Sequence, residues 1–119
     1  MKMFRWMAKL PLLTLCPVFM HAQQQVKLIT LDPGHFHAAL VQKTMYPEVD
    51  PTVHVYAEKG NDLQFHMDRI KGYNTRADQP TKWNEVVYEG KDFFQKMINE
   101  RKGNVVVLAG NNKLKTSYI

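Results

Sequence analysis

Apolar residues along this chain fall into two alternating rhythms. Short runs of aliphatic and β-branched residues occur at 26–31 (VKLITL), Thr52–Ala57 (TVHVYA), 86–88 (VVY) and 104–109 (NVVVLA). They have the length and composition of strands buried in a parallel sheet. Between them the apolar positions recur every three or four residues, as on one stripe of a helix. Phe36, Leu40 and either Val41 or Met45 share such a stripe, as do Leu63, Met67 and Ile70, and then Phe94, Met97 and Ile98. Asp32-Pro33-Gly34 stops the first strand: Pro33 withholds a donor, and Gly34 supplies whatever φ the turn needs. Asn61 reads as an N-cap with Gln64 three residues on, as in a capping box, and its helix ends near Gly72. Residues 73–84 read as a polar loop. A helix over 92–101 is closed by Gly103, and 113–119 starts another.

The resulting order, β-α-β-α-β-α-β with an unfinished α, predicts an α/β fold. The expected architecture is three-layer αβα, with right-handed crossovers and a Rossmann-like parallel sheet of strand order 3-2-1-4, incomplete. Strand four would then lie at the margin without a crossover helix. The expectation is the amino-terminal piece of a longer protein.

Composition changes this picture mainly at the start. Lys2, Arg5 and Lys9 precede a largely apolar stretch, 10–20, and Met20-His21-Ala22 ends in a small residue. That is the layout of a secretory signal peptide over 1–22, cleaved after Ala22, which makes 23–119 the domain and the location periplasmic or secreted. Eleven helical residues span about 16 Å, too short for a hydrocarbon core of roughly 30 Å, so no stable membrane anchor is expected. A lipoprotein reading of Cys16 meets bulky Leu15 where a small residue is wanted. There is no Arg-Arg pair, so the ordinary secretion route fits better than the twin-arginine one. The formal charge of +5 falls to +2 without the signal, and no basic stripe remains to suggest nucleic acid. Without Cys16 there is no disulfide, thiolate metal site or Cys nucleophile.

Three stretches carry candidate chemistry. The bend 32–37 follows a strand and opens a helix, so its unpaired N–H groups and the positive helix end point at one spot, which suits a phosphate. Glu58 stands 24 residues after Gly34, near the spacing of a carboxylate that takes ribose hydroxyls. That carboxylate leans toward NAD over NADP, with Lys59 beside it leaving the 2′-phosphate open. The plainer alternative is an ordinary βα turn and a solvated charge. His35-x-His37, with Asp32 nearby, allows a divalent-metal site as in amidohydrolase-type enzymes, although the Asp-to-His spacing is one residue too long and His54 and His66 do not complete it. The turn 110–112, Gly110-Asn111-Asn112, falls where strands one and four diverge, and its Asn side chains suit a ribose or an amide; equally, Asn tolerates the turn's geometry.

The pieces LITLDPGHFHAAL, VHVYAE, VVYEGKDFFQKM and NVVVLAGNN together resemble the nucleotide-binding domain of the glucose–fructose oxidoreductase / inositol dehydrogenase (Gfo/Idh/MocA) family, in a branch of exported bacterial oxidoreductases. The resemblance implies NAD or NADP bound over Asp32, Pro33, Gly34 and His35, with Glu58 at the adenosine ribose, Gly110 and Asn111 beside the cofactor, and a sugar or polyol substrate for the whole enzyme. The chain departs from the family in keeping one glycine of the phosphate turn and in ending before the family's Glu-Lys-Pro segment. No catalytic residue is therefore assigned, and no metal ligand is expected. The chain alone is expected to be inactive, with an oligomer left open. The alternatives are a non-catalytic nucleotide-binding remnant and a metal-dependent hydrolase fragment using His35 and His37.

Overall fold

The computed structural model describes residues 11–17, 24–110 and 112–119. Four strands, β1 (Leu28–Leu31), β2 (Thr52–Ala57), β3 (Asn84–Glu89) and β4 (Val105–Leu108), pair in parallel in the order β3-β2-β1-β4. This is the predicted α/β sheet. All four residues of β1 are buried. Their alternation sends Leu28 to one face, where it packs with Ala39, Val53, Ile70 and Trp83. That face carries a 3₁₀ helix (Phe36–Gln42) and α1 (Asn61–Thr75). Ile29 and Leu31 point to the other face and join Tyr56, Phe93 of α2 (Phe93–Glu100) and the half-buried Tyr118. Helices thus cover both faces, giving the three expected layers. A last short helix, α3, is Asn112–Lys115.

Several local expectations are corrected. The element after the bend is a 3₁₀ helix, with Ala38 N donating to His35 O and Lys43 N to Leu40 O. Its inward side is Ala38, Ala39 and Gln42, while Phe36, Leu40, Val41 and Met45 are 37–49% exposed. Two alanines let this helix lie close on the sheet, and the larger apolar residues turn outward. The capping box does not form: Gly60 precedes α1 without a side-chain cap, and Gln64 Nε2 bonds Asp68 Oδ1 instead. α1 runs through Gly72 to Thr75. The polar loop after it is pinned by Asn74, whose Oδ1 accepts from Thr81 Oγ1 and Trp83 N. α2 closes on Arg101, which itself takes the left-handed conformation expected of a glycine (φ 50°, ψ 49°). Val26 makes only an isolated bridge to Val49, and β3 is longer than expected. Of the expected signal, only 11–17 are described; they are exposed, without regular structure, and Ala22 and Gln23 lie outside the described residues. No described helix is long and apolar enough to cross a membrane.

A buried polar pair ties the 3₁₀ helix to the edge strand. Gln42 is fully buried; its Nε2 donates to Glu85 Oε1, and its backbone carbonyl accepts from Trp83 Nε1 at 2.6 Å. Gln42 Oε1 and Glu85 Oε2 are buried with no partner. Burial pushes the Glu85 carboxyl up to about 7, against the opposing effect of the Gln42 hydrogen bond. The neutral carboxyl is the form that such burial penalises less. On the same face of the sheet, His66 is buried with Nε2 unpartnered, and burial, then Arg69, lowers its pKa to about 4.

The two groups act in opposite directions. Glu85, raised from 4.5, contributes stability that is lost as pH climbs from there through 7. His66, lowered from 6.5, contributes stability that is lost as pH falls from there to 4. Their slopes largely cancel between about pH 4.5 and 6.5. Glu85→Gln keeps an amide opposite Gln42 and removes one slope. Its stability relative to wild type should therefore rise by about 3 kcal/mol from pH 4.5 to 7, measured by urea unfolding. A difference independent of pH would refute a neutral Glu85.

Candidate functional site

Parallel pairing brings the ends of β1, β2 and β4 to one rim, where Asp32, Glu58 and Gly110 follow their strands. Asp32 N still donates to Tyr56 O, at 2.9 Å, before the chain bends with Asp32 in the left-handed region (φ 48°). Asp is among the few residues that accept this conformation. Gly34 does not supply the unusual φ expected of it, since no described glycine lies in the left-handed region. The bend is made instead by Asp32 and the fixed φ of Pro33.

The expected fan of free amides is largely consumed. Gly34 N donates to Asp32 O and His35 N to Ala109 O, each at 2.8 Å, and Pro33 has no N–H. His37 N lies 3.4 Å from His35 Nδ1, a long contact. The His35 and His37 rings stack at 4.3 Å. Among the described residues, no group of three His, Cys, Asp or Glu is arranged to hold a metal ion.

Hollows surround the bend instead. The largest, about 630 Å³, runs from Asp32 and Pro33 past Glu58 and Gly60 to Phe94 and Tyr118. Its volume suits a small-molecule site. The uncapped first turn of α1, 61–63, lines it beside the exposed Glu58 carboxylate. A second hollow of about 530 Å³ lies between Gly34, His35 and His37 on one side and Gly110, Asn112 and Lys115 on the other. A third, about 240 Å³, separates Gly34, His35 and Phe36 from Phe65 and Arg69. Asp62 borders all three.

The rim is acidic. Burial raises the Asp32 pKa, the Tyr118 hydroxyl 3.4 Å away opposes the rise, and the charges of Asp62 and Glu58 add to it. Burial and then Asp32 push the Tyr118 phenol up in turn. Gly110 is confined for a steric reason: a Cβ there would stand 2.5 Å from Asp32 O and 2.8 Å from its Oδ2. Asp32, Pro33, Gly34, His35, Glu58 and Gly110 thus gather along one rim, although Glu58 and Gly110 line different hollows. Asn111 lies outside the described residues. Sequence reasoning missed Asp62, Phe93, Phe94, Leu114, Tyr118 and Arg69. Asp62, Phe65 and Arg69 were within reach, because they share one face of α1 at helical spacing. Nothing local marked Tyr118, whose place depends on how α3 docks.

Comparison with protein-family models and with curated proteins found no match. Among solved structures, the chain is similar to a Parabacteroides merdae protein described as a "putative oxidoreductase". The two are 61% identical over 80% of this chain, with a TM-score of 0.78. This chain spans 22% of the length of that neighbour.

Gly110→Ala should lower stability by about 1–3 kcal/mol, because the methyl group meets backbone as well as carboxylate. Gly72→Ala, where a Cβ meets nothing within 4 Å, should leave stability unchanged or raise it. Equal unfolding midpoints for the two variants would refute the close approach of Gly110 to Asp32.

Proposed function

We propose that this chain is the dinucleotide-binding part of an exported oxidoreductase resembling the Gfo/Idh/MocA family. The observation that carries the reading is the placement of Glu58 beside the uncapped start of α1, in the same cleft as the Asp32-Pro33 bend. A ribose diol both donates and accepts hydrogen bonds. Its hydroxyls can donate to the Glu58 carboxylate, while its oxygens accept from orphan first-turn amides of α1. That donor set fits the adenosine ribose of a nicotinamide dinucleotide. The free carboxylate favours NAD, since a 2′-phosphate would meet Glu58 as a like charge; Lys59 and Lys91 in the same cleft oppose that preference.

The sheet supports the same reading, because ligands of open parallel sheets sit outside the strands' carboxyl ends, where β1 and β4 diverge. The second hollow, with His35 and Gly110, occupies that crevice. The likeness to the P. merdae protein supports an oxidoreductase assignment. When bound, the cofactor would supply hydride chemistry toward a carbinol carbon of a sugar or polyol. The residues of this chain bind and orient, and none of them is assigned to the chemical step. Residues 1–22 fit an export signal, and the mature protein would then act in the periplasm or outside the cell.

Calorimetry with NAD and NADP tests this. Glu58→Ala should weaken NAD binding by roughly 10- to 100-fold, the worth of a hydrogen-bonded charge. Unchanged NAD affinity in the variant, or a wild-type preference for NADP, would remove Glu58 from the ribose.

A further inference from the structure

If the cleft takes a dinucleotide, as proposed above, its phosphates need positive charge, and the bend itself offers little. Two of its amides are bonded inside the protein, at Gly34 and His35, and Pro33 has none. In the groove beside the bend the charged lining residues are Asp62 and Arg69. We propose that Arg69 supplies the missing cation and holds a phosphate of the ligand in the groove between α1 and the bend.

The groove is the third hollow, walled by Pro33, Gly34, His35 and Phe36 on one side and by Phe65 and Arg69 on the other. It borders the residues expected to carry the phosphates, yet its cation comes from two turns into α1. The Arg69 guanidinium carbon stands 5.9 Å from the centroid of the Phe36 ring, which restrains the side chain from below. Among the described residues the only ion pair is Lys96 with Glu100, so no carboxylate occupies Arg69. A planar guanidinium offers phosphate a two-pronged contact that a lysine cannot match.

Other cations near the bend serve less well. Lys115 Nζ donates to Asn112 Oδ1, and Lys59 and Lys91 lie in the largest cleft, on the Glu58 side. Asp62 borders the groove and opposes any anion there. A bound phosphate is therefore expected to depend steeply on Arg69. This also accounts for the exposed Phe36, which sits outside the core as a platform for the guanidinium.

The test is calorimetry of wild type, Arg69→Ala and Arg69→Lys with NAD, ADP, adenosine and inorganic diphosphate, at low and moderate salt. Arg69→Ala should weaken NAD and ADP by roughly tenfold or more, leave adenosine unchanged and flatten the salt dependence, while Arg69→Lys recovers only part. Equal losses for adenosine and NAD, or no loss at all, would overturn the role of Arg69. If wild type ignores NAD and adenosine but binds diphosphate through Arg69, the anion groove stands and the dinucleotide reading falls. If nothing binds, both fall. Arg69 is exposed, so melting temperatures close to wild type should accompany each substitution.

Discussion

The position of β1 constrains everything else. Its four residues are buried on both faces and paired on both edges, Leu31 with Tyr56 of β2 and with Leu108 of β4. A strand enclosed on all sides cannot slip without exposing apolar surface and breaking two ladders at once. Because both ladders are parallel, the ends of three strands reach the same rim in fixed register. Asp32, Glu58 and Gly110 meet there for that reason.

The bend beyond β1 is shaped by packing. Asp32 O accepts from Gly34 N and stands where a Gly110 side chain would be. The bend is thus closed on the sheet by its own backbone, and the turn after β4 is drawn against it. Such closure gives a rigid rim but consumes the donors a phosphate would use. Asp32, Asp62 and Glu58 stand around the bend, with Asp32 half-buried and raised in pKa. On the proposed reading, a phosphate would need a cation from outside the bend.

The sheet was legible in the sequence because the strand runs are apolar, short and separated by helical stripes, so parallel pairing and layers follow from alternation, and the strand order from the doubly wound pattern. Details failed where side-chain size or a single backbone residue overrode periodicity. Phe36 and Leu40 carry the strongest apolar signal of their segment, yet Ala38 and Ala39 face the sheet, since close approach rewards small residues there. Gly34 and Gly103 are the obvious holders of unusual φ, but Asp32 and Arg101 adopt it. The position of Glu58 just past β2, in the cleft beside the bend, was readable from spacing along the chain. Tyr118 was not, because its contact with Asp32 spans 86 residues of separation.

The buried polar residues of the α1 face bear on the same rim from below. The 3₁₀ helix hangs from the bend at one end, and at the other it is fastened by Gln42 to Glu85 and Trp83. A protonated Glu85 makes that fastening electrically neutral, which is what an apolar layer tolerates. Ionisation would place a charge beside Val53, its register partner on β2, at the end of the helix remote from the bend. The helix is short, so little separates that end from His35 and Phe36. The far end of the helix that follows the bend is therefore held by the edge strand, on the side of the sheet away from β4.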